Sequence, residues 1–586
     1  MLTTTIFSLL FFSGFQDAIF AAPTSEAQAQ APFSTGSELI TTRPRRKLQG
    51  RFLHITDMHP DPYYRVDMSP NSACHRRKPK KEKPRAGEYG IPYGECDSPF
   101  TLTNHTLDFI DKKWSSEIDF VVWTGDSARH DNDRKLPRTT KEIYELNRAM
   151  ARRMEDIFLS KGIPVIPTIG NNDIWPHNIL LPGPNDITFQ YSAIWRSFIP
   201  FSSYQVFQRG GYFSVDVIPG SVAAISLNTL YFYTSNKAVG GCDAKDPEDP
   251  GNLQYDWLEV QLQTFRSRGM QVWMIGHVPP SASNYYPDCH VRYVELSLRY
   301  QDTILGHLFG HMNVDHFFFL DAQAVSEDVQ GESSDEADGD EGDLKKKHKD
   351  LYGTLLKSFN HMHKVSKLDH DNYAVVNVAP SVVPNPYLPS FRIFSYNISG
   401  SPYIPGDLGV TLDSIGSRGL TAHSEDSDGS PPDCLDDTEG RQNLTLEKTY
   451  KCHSSRRWNS SPNSPSRRNG LWSPLGYAQY YIPNLNETTG KRAPKFKLEY
   501  LTFEPSLLHP PEGLEASQFH YPIPLKNLPR SLRNSTVTKS KYAPYKMQDL
   551  TIPSWLKLAR RLGKAKHQKL RTRFRRYMYM GLDEER

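Results

Sequence analysis

Five short motifs at the edges of hydrophobic runs carry side chains that commonly bind metal ions. An apolar run that stops at glycine beside a carboxylate, amide or imidazole is typical of a buried strand presenting a site in an α/β sheet. Five such edges in one chain predict one shared site. The motifs are Asp57-Met58-His59 after Arg51–Thr56, Gly125-Asp126 after Phe120–Thr124, Gly170-Asn171-Asn172-Asp173 after Ile163–Ile169, Gly276-His277 after Val272–Ile275, and Gly310-His311-Met312-Asn313 before Val314–Leu320.

Strand-like and helix-like stretches alternate around these motifs. A helical pattern over Thr140–Lys161 precedes the run that starts at Ile163. Gly211–Val217 and Ser221–Asn228 have the pattern of a hairpin, which we expect in a second sheet. Tyr373–Val378 and Ser390–Tyr396 return to strand pattern farther on. The alternation predicts an α/β fold.

Composition divides the chain into segments. Stretches rich in Ser, Asp, Gly, Pro and charged residues cannot bury a core, so we expect them to be disordered. The segments are 1–22, a signal peptide or signal anchor; 23–50, a linker or pro-segment; 51–400, the main domain with an acidic disordered insertion at about 322–350; 401–475, a low-complexity insertion; 476–525, strands that complete the domain; and 526–586, a basic C-terminal tail.

The amino terminus predicts entry into the secretory pathway. An apolar run from Met1 to Phe15 is followed by small residues before Pro23, as in a signal peptide. If it stays uncleaved, the protein is single-pass with its main domain in the lumen. Six N-x-S/T sequons agree with a glycosylated, lumenal protein. They lie at Asn104, Asn397, Asn443, Asn459, Asn486 and Asn534.

Six cysteines form an even set, which permits fifteen complete pairings. In a secreted chain we expect disulfides rather than free thiols. Pairing of nearest neighbours is our choice among the fifteen. It gives Cys74–Cys96, Cys242–Cys289 and Cys434–Cys452.

The order of the motifs, D-x-H, GD, GN, H and GH, resembles the calcineurin-like metallophosphoesterase superfamily. The resemblance implies a two-sheet β-sandwich flanked by helices and two divalent metal ions, which are Mn, Mg, Zn or Co. Such ions activate water and polarise a phosphoryl group. The ligands implied are Asp57 and His59 for the first ion, Asp126 bridging both, and Asn171, His277 and His311 for the second.

Two positions depart from the usual pattern of the superfamily. Asn313 stands where a second histidine commonly binds the first ion, and its amide oxygen favours Mn or Mg. Asn172 stands where a histidine commonly helps protonate or orient the substrate. His130 offers a replacement acid, because W-T-G-D-S-A-R-H-D is similar to the acid sphingomyelinase-like branch, where a histidine at this offset lies by the leaving group. We therefore take His130, Asn172 and Asp126 as candidate catalytic residues and His307 as structural.

The joint occurrence of this stretch with G-N-N-D and G-H-M-N-V-D-H-F is similar to the fungal vacuolar endopolyphosphatase family. The resemblance covers about 51–400 and the strands near 477–503. It implies hydrolysis of internal phosphoanhydride bonds of inorganic polyphosphate by a metal-activated bridging hydroxide. It also implies a location in the vacuole lumen or vacuole membrane, and trimming of the termini by vacuolar processing proteases.

Basic stretches would suit a polyanionic substrate although the net charge is only +3. The stretch after the first motif supplies candidate substrate-binding residues, and the basic run Lys557–Arg576 would also attract polyanions or an acidic membrane. No recognition motif supports binding of nucleic acid. The candidates are Arg76, Arg77, Lys78, Lys80 and Lys81.

Two other functions compete with the polyphosphatase. A secreted, sphingomyelinase-like phosphodiesterase would need a helical lipid-binding segment before Arg51, where only a short polar linker stands. A protein that binds polyphosphate without turnover is suggested by Asn172 and Asn313. Retention of the six other ligand types favours an enzyme.

Overall fold

Two six-stranded mixed sheets form the centre of the fold, as the α/β prediction requires. The structure is a computed structural model that describes residues 46–80, 84–322, 344–364, 368–406, 458–488 and 492–581. The strands are β1 Arg51–Ile55, β2 Phe120–Trp123, β3 Val165–Pro167, β4 Phe213–Ile218, β5 Val222–Ser226, β6 Gln271–Ile275, β7 Ile304–Phe309, β8 His316–Asp321, β9 Tyr373–Val378, β10 Ser390–Tyr396, β11 Pro474–Tyr481 and β12 Lys497–Leu501.

The first sheet has the order β12-β11-β10-β1-β2-β3 and the second has the order β4-β5-β6-β7-β9-β8. In the first sheet β1, β2 and β3 are parallel, and in the second β5, β6, β7 and β9 are parallel. Aromatic side chains fill the space between the sheets: the Phe52 ring centroid lies 5.1 Å from that of Trp273. Burial of these large rings supplies much of the hydrophobic stabilisation of the core.

Helices flank both sheets. The start of helix α2 is determined by its local sequence, because the Thr139 side chain caps the first turn by accepting a hydrogen bond from the backbone N–H of Glu142. The helices are α1 Phe100–Trp114, α2 Thr140–Ile157, α3 Asp186–Ile194, α4 Tyr204–Gly210, α5 Pro250–Ser267, α6 Pro287–Arg299, α7 Leu344–Lys364, α8 Ile552–Gly563 and α9 Gln568–Met578.

The predicted elements of the main domain are confirmed. The helix before the Ile163 run is α2, and the hairpin is the antiparallel pair β4–β5 in the second sheet. Strands β9 and β10 coincide with the runs predicted for them. The late strands β11 and β12 pair with each other and extend the first sheet through β10.

The C-terminal segment differs from the predicted basic tail. Helices α8 and α9 pack on the domain and bury the side chains of Trp555, Leu562, Phe574 and Met578. Apolar residues recur at helical spacing between the lysines and arginines, so the two helices are amphipathic. The high density of basic residues in the sequence concealed this apolar face.

The predicted insertions are described only in part. Of the acidic insertion, 323–343 lies outside the described residues, and α7 begins at Leu344 within the range expected to be disordered. Of the low-complexity insertion, 407–457 lies outside as well. Its last part is packed rather than loose, since the buried Ser466 hydroxyl donates to the Gln301 carbonyl at 2.6 Å. Small hydroxyl side chains can be buried when they are hydrogen-bonded.

Two of the three predicted disulfides are confirmed, Cys74–Cys96 and Cys242–Cys289. The third, Cys434–Cys452, lies outside the described residues, as does the signal peptide or anchor at 1–22. Among the helices that the structure describes, none is long and apolar enough to cross a membrane.

Candidate metal centre

The five motifs meet at one edge of the two sheets. Each begins where a strand ends, and the loops are joined by backbone hydrogen bonds. The Asp57 N–H donates to the Gly125 carbonyl at 3.1 Å, and the Gly310 N–H donates to the His277 carbonyl at 3.1 Å. Because parallel strands end at the same edge, the sheet topology itself gathers the candidate ligands.

Glycines let these loops approach each other closely. A Cβ atom on Gly170 would lie 2.0 Å from Oδ1 of Asp126. A Cβ on Gly310 would lie 2.0 Å from Oγ1 of Thr56 and 2.7 Å from Oδ2 of Asp57. Any larger residue would therefore push a carboxylate out of the site, which explains why glycine precedes the ligand in both motifs.

Four groups form the candidate second metal site. Oδ1 of Asn171 lies 2.8 Å from Nε2 of His277 and 3.0 Å from Nδ1 of His311. Oδ2 of Asp126 lies 3.2 Å from Nε2 of His277. Asp126, His277 and His311 offer ligand atoms within 4.8 Å of one another, so one ion can contact all of them.

The candidate first metal site shares Asp126. Nε2 of His59 lies 3.4 Å from Oδ2 of Asp126 and 3.7 Å from Oδ1 of Asp57. Asn313 lies on the loop after β7, and its Nδ2 donates to the Asn385 carbonyl at 2.9 Å. That bond fixes the amide orientation and leaves Oδ1 as the atom that can bind a cation.

Two histidine rings are oriented by carbonyl groups behind them. Nδ1–H of His59 donates to the Ala128 carbonyl at 2.7 Å, and Nδ1–H of His277 donates to the Thr124 carbonyl at 2.7 Å. A carbonyl only accepts, so Nδ1 carries a proton and Nε2 is the ring atom that faces the cluster and can bind a metal ion. This arrangement is typical of metal-ligating histidines.

Unpartnered buried atoms indicate that a cation fits the cluster. Oδ1 of Asp57, Nε2 of His59 and Oδ1 of Asn313 are buried and have no hydrogen-bond partner among the described residues. Leaving one such atom unsatisfied costs roughly 1–3 kcal/mol, so three together need a compensating ligand. All three are atom types that bind divalent ions through a lone pair.

The electrostatics of the cluster agree with a cationic guest. Burial alone would raise the pKa of Asp126, but His277 and His59 hold that pKa well below its ordinary value. Burial alone would lower the pKa of His277, but the carboxylates of Asp126 and Asp57 raise it to about 9. The carboxylates thus favour positive charge at the centre of the site, which bound metal ions would supply.

Asp173 is a buried carboxylate for which the motif pattern predicted no role. Its oxygens accept hydrogen bonds from the backbone N–H groups of Asp126, Ser127 and Gly170, at 2.7–2.9 Å. Burial and the nearby Asp126 charge raise the pKa of Asp173. The residue ties the loop after β2 to the loop after β3 and holds Asp126 in place.

Five candidate ligands have left-handed backbone conformations. Their φ angles are 50° at Asp57, 39° at His59, 56° at Asp126, 70° at His311 and 54° at Asn313. Such angles are uncommon for residues other than glycine and cluster at functional sites. The backbone therefore aims these side chains into the cluster at some conformational cost.

His130 lies beside the first metal site, and Asp97 supports it. The His130 ring stacks on His59 with centroids 3.8 Å apart. Its Nδ1 is 2.6 Å from Oδ1 of Asp97, and its backbone N–H donates to Oδ2 of Asp97 at 2.6 Å. Sequence reasoning missed Asp97, which follows Cys96 in an irregular loop. Its only signal was an acidic residue beside a disulfide cysteine.

Asn172 donates hydrogen bonds to both carboxylate oxygens of Asp126. Its backbone N–H donates to Oδ1 at 2.9 Å and its Nδ2 donates to Oδ2 at 3.0 Å. These contacts show that Asn172 positions Asp126, and the catalytic role predicted for Asn172 stays a prediction. His307 lies apart from the cluster, where Nδ1 contacts the Tyr293 hydroxyl at 2.8 Å and burial lowers its pKa to about 3.

The predicted substrate-binding stretch lies on the surface. Arg77, Lys78 and Lys80 are exposed, whereas the half-buried Arg76 is paired with Asp133. Lys81 lies outside the described residues. Of the sequons, Asn104, Asn486 and Asn534 are exposed, Asn397 and Asn459 are half-buried, and Asn443 lies outside the described residues.

Comparison with known proteins agrees with this geometry. Residues 50–315, which carry all five motifs, match the family described as calcineurin-like phosphoesterase. A protein of Cryptococcus neoformans named endopolyphosphatase is 40% identical and aligns over 90% of this chain and 91% of its own length. A protein of the same name from Neurospora crassa is 34% identical, and the alignment covers 93% of this chain and 82% of that protein. A third, from Schizosaccharomyces pombe, is 31% identical over 90% of this chain and 85% of its own length.

The shared regions extend well beyond the metal cluster, because these alignments cover nearly the whole chain. The chain belongs to the endopolyphosphatase family of calcineurin-like phosphoesterases.

Proposed function

We propose that this protein is a metal-dependent endopolyphosphatase that hydrolyses internal phosphoanhydride bonds of inorganic polyphosphate. The observation that carries the proposal is the convergence of two ligand sets on the shared carboxylate of Asp126. The name of the relatives, endopolyphosphatase, supports the substrate.

The residues divide into two ligand sets and their supports. When bound, two divalent ions supply Lewis-acid polarisation of a phosphoryl group and activation of water. Asn172 and Asp173 hold the shared carboxylate and its loop in place before any ion binds. The residues that would hold one ion are Asp57, His59, Asp126 and Asn313, and those that would hold the other are Asp126, Asn171, His277 and His311.

His130 and Asp97 supply a proton donor on one side of the cluster. The Asp97 carboxylate fixes the ring through Nδ1 and stabilises its protonated form. The leaving group of a phosphoanhydride is itself an ionised phosphate, so it needs less protonation than an alkoxide. Proton donation by His130 therefore has a smaller effect on departure of the cleaved polyphosphate end than it would have on departure of an alkoxide.

We propose further that the protein reaches the vacuole, in its lumen or on its membrane, through the secretory pathway. Two disulfides and three exposed sequons support an oxidising, glycosylating route. Retention of the amino-terminal run as an anchor, glycosylation and trimming by vacuolar proteases belong to the same proposal. Fractionation of cells that express a tagged chain, with and without glycosidase treatment, tests it.

The activity is tested with purified, glycosylated protein, long-chain polyphosphate and Mn²⁺, with and without EDTA. Products are resolved on a gel and free phosphate is measured in parallel. Shortening of the chains before much phosphate appears, and its loss in EDTA, would support endo-cleavage at the metal centre.

Other outcomes would replace the proposal. Intact polyphosphate together with hydrolysis of a sphingomyelin analogue would assign a lipid phosphodiesterase. Intact chains that stay bound to the protein, with or without trimmed termini, would assign a binding protein without turnover.

A further inference from the structure

Helix α9 carries a row of basic side chains on its solvent side. Lys569, Arg573 and Arg576 are exposed and recur at positions i, i+4 and i+7, so they lie on one face of the helix. None of the three makes an ion pair or side-chain hydrogen bond with a residue that the structure describes. We call these three residues the α9 basic stripe. The opposite face of the helix is buried through Leu570 and Phe574.

The end of α9 contacts the segment that follows the candidate ligand Asn313. The Met578 carbonyl accepts a hydrogen bond from the backbone N–H of Asp315 at 3.1 Å, and Asp315 lies two residues after the candidate ligand Asn313. The ring of Tyr579, the residue after the helix, lies 5.3 Å from that of Tyr387. The stripe therefore runs along a helix that ends at the metal-binding loop.

The loop 385–387 connects this helix to the segment that precedes Cys96. Its Asn385 carbonyl holds the candidate ligand Asn313, and its Pro386 carbonyl accepts from the Tyr93 N–H at 2.8 Å. Tyr93 is three residues from Cys96, whose disulfide to Cys74 anchors the stretch with Arg77 and Lys78. Loop 385–387 thus contacts the Asn313 loop and, through Tyr93, the segment closed by the Cys74–Cys96 disulfide.

An enzyme that cuts inside a polymer must hold the chain on both sides of the cleaved bond. We propose that the α9 basic stripe binds the polyphosphate chain on one side of the metal centre, an inference that rests on the proposed function. Exposed guanidinium and ammonium groups bind phosphate oxygens by charge-assisted hydrogen bonds. The regular spacing of the stripe suits a repeating anion.

The test replaces all three residues with glutamine (Lys569→Gln, Arg573→Gln and Arg576→Gln) in the full chain. The KM for long-chain polyphosphate should rise about tenfold, and its dependence on salt should become shallower, because fewer cation–phosphate contacts form. The rise should be much smaller for tripolyphosphate, which is too short to span from the metal centre along the helix. Melting temperature and metal content check that the variant is folded and loaded.

A matched control removes three exposed basic residues elsewhere, with Lys112→Gln, Lys113→Gln and Arg152→Gln. They lie towards the carboxyl ends of α1 and α2, which lead into β2 and β3 at the sheet edge opposite the metal centre. The control should keep the wild-type KM for every chain length. Equal increases in the two triple variants would overturn the proposal, because net charge alone would then explain them.

Two further results separate the possible ligands. An unchanged KM in the stripe variant, with weaker binding to phosphatidylserine vesicles, would overturn the proposal in favour of a membrane surface. If the wild-type protein binds long-chain polyphosphate without cleaving it, the proposed function fails. Weaker polyphosphate binding by the stripe variant in that same assay would still support the stripe, and unchanged binding would overturn it.

Discussion

Asp97 accepts two hydrogen bonds from His130, one from the ring and one from the backbone N–H, each 2.6 Å long. Burial alone would raise the pKa of Asp97, but the His130 ring lowers it below its ordinary value. The carboxylate therefore stays ionised and holds the imidazole in one orientation beside His59. A predicted proton donor thus has a fixed partner 33 residues away in sequence.

Replacing Asp97 with asparagine should lower kcat by about tenfold to a hundredfold while KM and metal content stay near wild type, because a neutral amide stabilises an imidazolium less well. The loss should be larger for phosphate esters with poor leaving groups than for polyphosphate. Steady-state kinetics over a series of leaving groups measure this. A double variant with His130→Ala should be no slower than His130→Ala alone, and fully multiplicative losses would show that the two residues act separately.

Asp126→Asn should lower kcat by about a thousandfold or more, since an amide cannot serve as the shared anionic ligand of two cations. The new amide oxygen can accept from only one of the two Asn172 donors, because its other terminal atom is an NH2 group, so a small loss of stability should accompany the loss of turnover while the fold persists. Turnover, bound metal by elemental analysis and melting temperature are the measurements. Asp108→Asn, at a carboxylate that is 68% exposed, is the matched control. Full activity in Asp126→Asn would refute the shared-ligand assignment.

Asn313→His should shift metal preference from Mn²⁺ and Mg²⁺ towards Zn²⁺ and Co²⁺, because an imidazole nitrogen is a softer ligand than an amide oxygen. Activity of metal-stripped protein titrated with each ion gives the order of preference. The Asn313→Ala variant separates the loss of a ligand from its exchange. An identical metal order in wild type and Asn313→His would place Asn313 outside the coordination shell.

His75 should make stability depend on pH. Burial opposes its protonation, but Asp61 and Asp133, each 2.8 Å from a ring nitrogen, raise its pKa above the ordinary 6.5. The charged ring therefore stabilises the folded state fully below pH 6.5, and this contribution is lost as pH rises through the raised value. Urea unfolding of wild type and His75→Gln should show a difference in unfolding free energy that shrinks with increasing pH across this window. A constant difference would contradict the ion-pair account.

Phe574→Ala should destabilise the protein by about 3–5 kcal/mol, since the ring is buried and its removal leaves a cavity. The ring contacts Phe317 and Phe359, at centroid distances of 5.8 Å and 6.1 Å. Thermal and urea unfolding measure the change, with the exposed neighbour Thr572→Ala as control. Equal stability of the two variants would mean that α9 does not contribute to the core.

The sequence predicted that the candidate ligands would gather, because they follow strand ends. Asp57, Asp126 and Asn171 follow β1, β2 and β3, which are parallel neighbours in one sheet, so a short apolar run that ends in a polar side chain was enough to find them. Asp97 follows no strand, and its place depends on a loop closed by Cys74–Cys96. No local pattern encodes that contact.

The C-terminal helices were misjudged for a different reason. Their basic residues dominate the composition, whereas the apolar positions Leu570, Phe574 and Met578 recur at helical spacing. The helical spacing of these apolar residues predicts an amphipathic helix, whereas the basic composition of the segment predicts a solvated tail. Packing against β8 and α7, far away in sequence, decides between the two.

The left-handed backbone at the ligand positions restricts which residues evolution can place there. Among residues other than glycine, such φ angles are most common for asparagine, aspartate and histidine. The side chains of these three residue types also bind divalent cations. The backbone conformation and the need to bind a cation therefore restrict each of these positions to the same few residue types. Asn313, which stands where a histidine is common in the superfamily, is one of these residue types, so the ligand can change while the backbone conformation stays the same.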